Sequence, residues 1–189
     1  MFEQEFPLED DILYLNHAAV SPWPLRSFAA AQEFAGNNLH RGATDYPKWM
    51  QVEAELRSRI SRLINAPSDD DIALVKNTSE ALSMIRPRLP SPPFPTMVTF
   101  SGEFPSNRIV WESLSDKGVT LTLVDERPFE DAEARLLAQC NENTRLISIS
   151  SVQFASGFRV DLEKIGRFCH ENDILFSVDA IQSIGAIPF

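Results

Sequence analysis

The chain has 189 residues, of which 43% are hydrophobic, and a formal net charge of −10. This length and apolar content suffice for a folded domain with a substantial core, whereas the negative charge repels a phosphate backbone and argues against a nucleic-acid partner. The acidic N-terminus lacks the basic and apolar regions of a signal peptide, and no apolar run reaches the roughly 20 residues that cross a bilayer. We therefore expect a cytoplasmic protein with no membrane partner.

The cysteine content argues against a metal site. The two cysteines, Cys140 and Cys169, each fall within a predicted helix. Neither belongs to a CxxC pair or to a His/Cys cluster with metal-ligand spacing. The pattern predicts two buried or half-buried thiols and no bound metal.

The order of the predicted elements indicates the fold class. Apolar residues recur at spacings of three and four from Trp49 to Leu63, which predicts a long amphipathic helix on the outside of a sheet. Five apolar runs of strand length follow: Ile72–Val75, Met97–Phe100, Leu121–Val124, Leu146–Ile149 and Ile174–Val178. Helical periodicity lies between them: Ser79–Ile85, Ser106–Ser115, Glu130–Cys140, and Leu162–His170 behind an Asp161 cap. This alternation predicts parallel βαβ units in an open α/β sheet, and the Pro-rich stretch Arg86–Pro95 is predicted to be a loop.

Polar residues follow several of the predicted strands, where an open parallel sheet binds its ligands. In "KNTSEAL", Thr78 and Ser79 begin a helix, which suits either a bound phosphate or an ordinary N-cap. In "GEFPSN", Phe104 precedes a helix that starts at Pro105. Alone, Phe104 could be a core aromatic, and Gln153 in "SSVQFASGFRVDL" could be a surface amide.

The last predicted strand ends at Asp179, in "FSVDAIQSIGAIPF". A buried carboxylate requires a cationic partner, and no basic residue lies nearby in the sequence. A protonated ring nitrogen of a cofactor would serve, and Gln182 would then be free to contact a second ring substituent. The alternative for Asp179 is a helix cap at the end of the strand.

Taken in order, the segments "YLNHAAVSPWP", "KNTSEAL", "GEFPSN", "SSVQFASGFRVDL" and "VDAIQSIGA" resemble the first half of the class V aminotransferase family. These fold-type I pyridoxal 5′-phosphate (PLP) enzymes include cysteine desulfurases, kynureninase and isopenicillin N epimerase. The resemblance implies a three-layer α/β fold with a mainly parallel sheet, the incomplete large domain of such an enzyme. It further implies an N-terminal arm over residues 1–15, the incomplete PLP-binding domain over residues 16–189, an absent C-terminal small domain, and a homodimer in the complete enzyme.

The resemblance also implies roles for individual residues. Those at the cofactor are Thr78 and Ser79 at the phosphate, Phe104 stacked on the pyridine ring, Asp179 at the pyridinium nitrogen, and Gln153 and Gln182 at the ring hydroxyl oxygen. The loop of Asn16, His17 and Ala18 resembles the segment that lines the substrate side, with a strand followed by a turn as the alternative.

The sequence departs from the family pattern in two respects. Fold-type I enzymes form a Schiff base with a lysine on a later strand, and none of the four lysines here lies in a matching motif. We therefore expect no catalytic residue in this chain and no turnover by it alone. In addition, Phe104 stands where cysteine desulfurases commonly stack a His on the ring, which disfavours desulfuration and leaves transaminase and epimerase types compatible.

Three hypotheses of function follow. The first is the N-terminal part of a PLP-dependent enzyme, of the transaminase, epimerase or desulfurase type, that acts on an amino acid or a related amine. The second is a non-catalytic binding or interaction module derived from that fold, which the sequence immediately downstream would distinguish from the first. The third is a nicotinamide dehydrogenase, and none of the seven glycines forms the GxGxxG motif that it requires.

Overall fold

The computed structural model describes residues 2–17, 20–85 and 95–188. The chain divides into two compact units, Met1–Ala73 and Leu74–Pro188. The predicted Pro-rich loop lies outside the described residues apart from Pro95. Within the described ranges, no helix is long and apolar enough to span a bilayer.

The first unit is helical. Its helices are α1 (Phe2–Glu5), α2 (Leu25–Arg41) and α3 (Tyr46–Leu63), followed by a short 3-10 turn at Asp69–Asp71. The ring of Phe34 on α2 packs edge-to-face on Trp49 of α3, with 5.1 Å between the ring centroids. Helix α3 confirms the predicted amphipathic helix, whereas α2 was not predicted.

The second unit is an α/β sheet. Its strands are β1 (Thr96–Phe100), β2 (Thr120–Val124), β3 (Thr144–Ser150) and β4 (Leu175–Asp179). Its helices are α4 (Thr78–Ile85), α5 (Pro105–Glu112), α6 (Ala132–Ala138) and α7 (Leu162–Glu171). The described strands pair in the order β2-β1-β3-β4, and every pair is parallel. The predicted parallel α/β architecture is therefore confirmed.

Helices cover both faces of the sheet. On one face, Phe100 and Ile147 form a buried cluster with Leu136 of α6 and Ile165 of α7. On the other face, β1 and β3 contribute to a second cluster with α4 and α5, whose buried members are Leu82, Met97, Trp111, Leu114 and Leu146. Because successive side chains of a strand point to opposite faces, strands covered on both sides are predominantly apolar, as β1 and β3 are apart from their Ser and Thr residues and one Arg. The unit has three layers, as expected.

The predicted first strand, Ile72–Val75, is wrong. Ile72 has an extended backbone, but no described strand pairs with this segment. Ile72 is buried, whereas Leu74 and Val75 are 41% and 40% exposed. An apolar run becomes a strand only where a neighbouring backbone supplies hydrogen-bonding partners, and none of the described strands does so here.

The predicted environment of the thiols is confirmed. Cys169 is buried and Cys140 is partly buried, and both are free. Among the described residues, no group of His, Cys, Asp or Glu side chains is arranged to hold a metal ion.

Candidate functional site

Polar side chains meet at the carboxyl ends of β1, β3 and β4. Ser150 and Asp179 end β3 and β4 and are register partners in the parallel ladder. Asn107, in the first turn of α5, reaches both of them through its side-chain amide. Glu103 lies in the loop between β1 and α5 and joins the same cluster. The sheet topology thus brings together residues that are up to 76 positions apart in the sequence.

Asp179 is half-buried and accepts only neutral donors. Its Oδ2 accepts a hydrogen bond from Asn107 Nδ2 at 2.8 Å. Its Oδ1 accepts one from the backbone N–H of Ile181 at 3.0 Å, a contact within the turn after β4; because no described helix begins there, the helix-cap alternative is wrong. Among the described residues, no basic side chain forms an ion pair with Asp179. The carboxylate is therefore oriented by the protein while its charge is left unbalanced.

Glu103 is a second carboxylate, only 4% exposed. Its Oε1 accepts hydrogen bonds from Ser150 N at 2.7 Å and Gln153 Nε2 at 2.6 Å. Its Oε2 accepts from Ser150 Oγ at 2.6 Å and Asn107 Nδ2 at 3.3 Å. Four donors facing one carboxyl group match the acceptor-only character of its ionised form. They offset part of the cost of burying it without a cation.

Gln153 is 1% exposed, so it is not a surface amide. Its nitrogen is held by Glu103, and its Oε1 is buried with no hydrogen-bond partner among the described residues. The Oδ1 of Asn107 is likewise buried and unpaired. An unsatisfied buried polar atom typically costs about 1–3 kcal/mol, and such atoms are rare in native proteins. Two of them in one cluster at the ligand-binding edge of a sheet fit a site that receives a polar ligand.

Phe104 presents an aromatic ring at this edge. It is the N-cap residue of α5, and Pro105 occupies the first helical position, as predicted. The ring is 48% exposed and contacts Phe154 edge-to-face, with 5.2 Å between the centroids. Phe104 is thus not a core aromatic, and a planar ligand could stack on its exposed surface.

Thr78 and Ser79 lie in the first turn of α4, which packs beside α5. The cap is supplied by Asn77, whose Oδ1 accepts from the backbone N–H of Glu80 at 2.9 Å. The Glu80 carboxylate accepts from the N–H of Lys76 at 2.6 Å. No described residue accepts a hydrogen bond from the backbone N–H groups of Thr78 or Ser79. The N-cap alternative is therefore present at Asn77, and it leaves two amides of the helix end available to an anion.

The turn after β4 is fixed by Ser183 and Gly185. The hydroxyl groups of Ser151 and Ser183 hydrogen-bond to each other at 2.6 Å. Gly185 has a φ of 84°, in the left-handed region that favours glycine. This accounts for the glycine in the segment "VDAIQSIGA". Gln182 lies in this turn and is half-buried, and no described residue hydrogen-bonds to its side chain.

The proposed substrate loop belongs to the first unit. The His17 ring lies edge-on to Tyr14 at 5.2 Å between centroids, and its backbone carbonyl accepts from Ser21 Oγ at 2.8 Å. Asn16 precedes it and is exposed. Ala18 lies outside the described residues.

The sequence analysis missed Glu103 and Asn107. A usable signal was present for Glu103, because it is a charged residue just beyond a buried strand, as Asp179 is. Asn107 gave no comparable signal, because a single asparagine in a predicted helix is common. Neither residue type reveals on its own that the two meet Ser150 and Gln153, since that depends on the strand order.

Comparison with known proteins supports the resemblance. The family model for class V aminotransferases matches residues 13–189. A probable cysteine desulfurase of Methanothermobacter thermautotrophicus is 33% identical over 188 residues, which cover 96% of this chain and 46% of that protein. Kynureninase of Pseudomonas fluorescens is 29% identical over 199 residues, covering 98% of this chain and 46% of the enzyme. The chain thus spans about half the length of the curated relatives it matches.

Solved structures share the fold. A C-DES mutant with glycine covalently linked to its PLP cofactor superposes with a TM-score of 0.91 at 19% identity, covering 99% of this chain and 51% of the other. The cysteine desulfurase CsdA of Escherichia coli superposes with a TM-score of 0.83 at 24% identity, covering 99% and 49%. These matches confirm the predicted fold class.

Proposed function

Because this chain belongs to the class V aminotransferase family, we propose that it is the cofactor-binding part of a PLP-dependent enzyme that acts on an amino acid or a related amine. The observation that carries the proposal is the state of Asp179. Its carboxylate is half-buried, oriented by two neutral donors, and not paired with any basic side chain of the described residues. A cationic ring nitrogen supplies the missing charge.

Asp179 acts on the ring nitrogen through its charge. A carboxylate beside a protonated nitrogen stabilises the charged form and holds the proton there. PLP, when bound, supplies an electron sink whose strength depends on that proton. The contribution of Asp179 is therefore to keep the ring protonated at neutral pH.

The other proposed contacts are made to three parts of the cofactor: its phosphate, the face of its ring and its ring hydroxyl oxygen. Thr78 and Ser79 offer two helix N-terminal amides to the phosphate, and the carboxylate of Glu80 is engaged by Lys76 N. Phe104 offers its exposed ring for stacking. At the ring hydroxyl oxygen, Gln182 offers its unengaged amide, and Gln153 Nε2 retains one N–H beyond the one that it donates to Glu103.

The identity of residue 104, a phenylalanine, bears on which reaction type we propose. Phe104 has no titratable group, so this residue stacks on the ring and neither takes nor gives a proton. We propose a transaminase- or epimerase-type reaction over desulfuration for this reason. Asn16, His17 and Ala18 remain the proposed substrate residues, and the activity itself is proposed for a protein of the relatives' full length.

Binding of pyridoxine 5′-phosphate to the 189-residue chain tests the cofactor assignment. This probe has the ring and phosphate of the cofactor but no aldehyde, so it does not react with surface lysines. We expect calorimetry to show tighter binding of the probe than of inorganic phosphate. Asp179→Asn should weaken probe binding by about tenfold, the loss of one close charge interaction, and should leave phosphate binding unchanged.

Two outcomes would contradict the assignment. One is equal affinity for the probe and for inorganic phosphate, which would remove the ring site. The other is an Asp179→Asn variant that binds the probe as tightly as the unsubstituted chain.

In a protein of the relatives' full length, Asp179→Asn should abolish most turnover while the cofactor stays bound. Retained cofactor binding without turnover by the unsubstituted full-length protein would instead support the non-catalytic module.

We propose a homodimer for the complete enzyme and self-association for this chain. In the described part of the sheet, β4 is an edge strand, and Leu175 on it is 52% exposed. Unpaired strand edges with exposed apolar side chains favour association. Light scattering at micromolar concentration is expected to give a mass above that of one chain, and a monodisperse monomer would contradict the proposal.

A further inference from the structure

The amide of Asn107 lies between two carboxylates. Its Nδ2 is 2.8 Å from Asp179 Oδ2 and 3.3 Å from Glu103 Oε2, and 3.2 Å from Ser150 Oγ. Asn107 is 3% exposed, so water competes little for these bonds. An amide has donors only on its nitrogen; turning it over would place its oxygen against two acceptor groups. The two carboxylates therefore fix which end of the amide meets Asp179.

Glu103 in turn is held from three sides. Ser150 donates to it through both its backbone and its hydroxyl, and Gln153 donates through its side chain. Because these three donors come from β3 and the segment that follows it, they anchor Glu103 to the sheet, and the longer contact from Asn107 links it to α5. It provides a fixed point against which the Asn107 amide is oriented.

A neutral donor has a particular consequence for Asp179. A lysine or arginine at position 107 would orient the carboxylate and also cancel its charge. An asparagine orients it and leaves the negative charge for another partner. With Ile181 N on Oδ1 and Asn107 on Oδ2, both oxygens are fixed in place before a ligand arrives.

We propose that Asn107, oriented by Glu103, is a positioning residue that holds the Asp179 carboxylate in place for the cationic ring nitrogen of the cofactor. This inference rests on the proposed function, because Asp179 is the group that meets the ring. Asn107 does not touch the ring in this scheme; it acts through Asp179. Its importance should therefore vanish when Asp179 loses its charge.

A double-mutant cycle on the 189-residue chain tests this dependence, with pyridoxine 5′-phosphate as the probe. In the unsubstituted background, Asn107→Ala should weaken binding by about three- to tenfold, the effect of losing one hydrogen bond of ordinary net strength, because Asn107 acts on the ring only through Asp179. In the Asp179→Asn background, the same substitution should change binding less than about twofold. Asn172→Ala is the matched control, because Asn172 donates to the carbonyl of Phe168 at 2.8 Å and should leave binding unchanged.

A spectroscopic readout separates positioning from a structural role. The ultraviolet absorbance of bound pyridoxine 5′-phosphate changes when the ring nitrogen loses its proton. We expect Asn107→Ala to lower the pH at which that change occurs. If Asn107→Ala does not fold, Asn107→Leu keeps the branched shape of the side chain and removes the hydrogen bonds, and the same results are expected from it.

The outcomes are distinguishable. Equal losses of affinity from Asn107→Ala in both backgrounds, with an unchanged absorbance titration, would overturn the positioning role and leave the proposed function standing. Probe binding no tighter than that of inorganic phosphate would overturn the proposed function and the positioning role together. A loss confined to the background that retains Asp179 would support both.

Discussion

Gly102 precedes Glu103 at the end of β1, and a methyl group there is expected to be destabilising. An ideal Cβ at this position would lie 2.3 Å from Glu126 Oε1 and 2.8 Å from its Cδ, both well inside van der Waals contact. Glu126 is 8% exposed, so its carboxylate has little room to withdraw. Overpacking costs about 1–3 kcal/mol, and because the atoms met are the end of a flexible side chain, we expect Gly102→Ala to lower the free energy of unfolding by about 1 kcal/mol, the low end of that range.

Urea denaturation followed by circular dichroism measures the effect, with Gly36→Ala as the matched control. Gly36 lies within α2, and a Cβ added there meets no atom within 4 Å. The same chemical change should therefore stabilise the protein by about 0.5–1 kcal/mol, because alanine has the higher helix propensity. The two glycines are predicted to respond with opposite signs.

A second substitution tests the cause. If the clash with the Glu126 side chain is responsible, Glu126→Ala should remove it, and Gly102→Ala should then cost less than about 0.5 kcal/mol in that background. The reasoning is refuted if Gly102→Ala leaves stability unchanged, or if its cost is the same with and without the Glu126 side chain.

Two further predictions concern α7 and the thiols. Asp161 caps α7 by accepting a hydrogen bond from Lys164 N at 2.9 Å, so Asp161→Ala should lower the free energy of unfolding, measured in urea, by about 1 kcal/mol. Asp131→Ala should lower it less, because Asp131 precedes α6 without such a bond. Equal losses from the two substitutions would contradict the capping argument. Burial, with a smaller contribution from Cys140, raises the pKa of the Cys169 thiol from 9.0 to about 11, so the folded thiol keeps its proton where the unfolded one loses it. The contribution of the protonated Cys169 thiol to the free energy of unfolding, about 2–3 kcal/mol, is complete below pH 9 and is lost as the pH rises to 11. The melting temperature should therefore fall less over this pH range for Cys169→Ala than for the unsubstituted chain. An equal fall in the two proteins would contradict this prediction.

The sequence predicted the second unit well because its central strands, β1 and β3, are buried on both faces. Predominantly apolar runs such as Leu146–Ile149, interrupted only by Ser148, indicate such strands, and the helices between them carry one apolar face each. Ile72–Val75 has the same local pattern, yet pairing with another backbone decides whether such a run becomes a strand. Helix α2 was missed although its sequence is amphipathic; Gly36, Asn37 and Asn38 interrupt it with residues of low helix propensity.

The candidate site was predicted only where a single residue posed an evident physical problem. Asp179 ends a buried strand as a charge without a nearby counter-ion, and that alone pointed to a cationic ligand. Gln153 and Phe104 could be assigned only through the family resemblance, since an amide or an aromatic residue is common anywhere. Asn107 gives no signal in the sequence, because its role depends on Ser150 and Asp179 being neighbours in the sheet.

The two carboxylates at this sheet edge, Glu103 and Asp179, differ in the number of hydrogen-bond donors that each receives, and this difference bears on their proposed roles. Glu103 receives four donors and is almost completely buried, so its hydrogen-bonding capacity is largely used within the protein. Asp179 receives two and is half-buried, so it retains both acceptor capacity and access. Since an anion binds a cation where its lone pairs remain free and reachable, this difference supports the proposal that the ring nitrogen meets Asp179 and that Glu103 orients the amides around it.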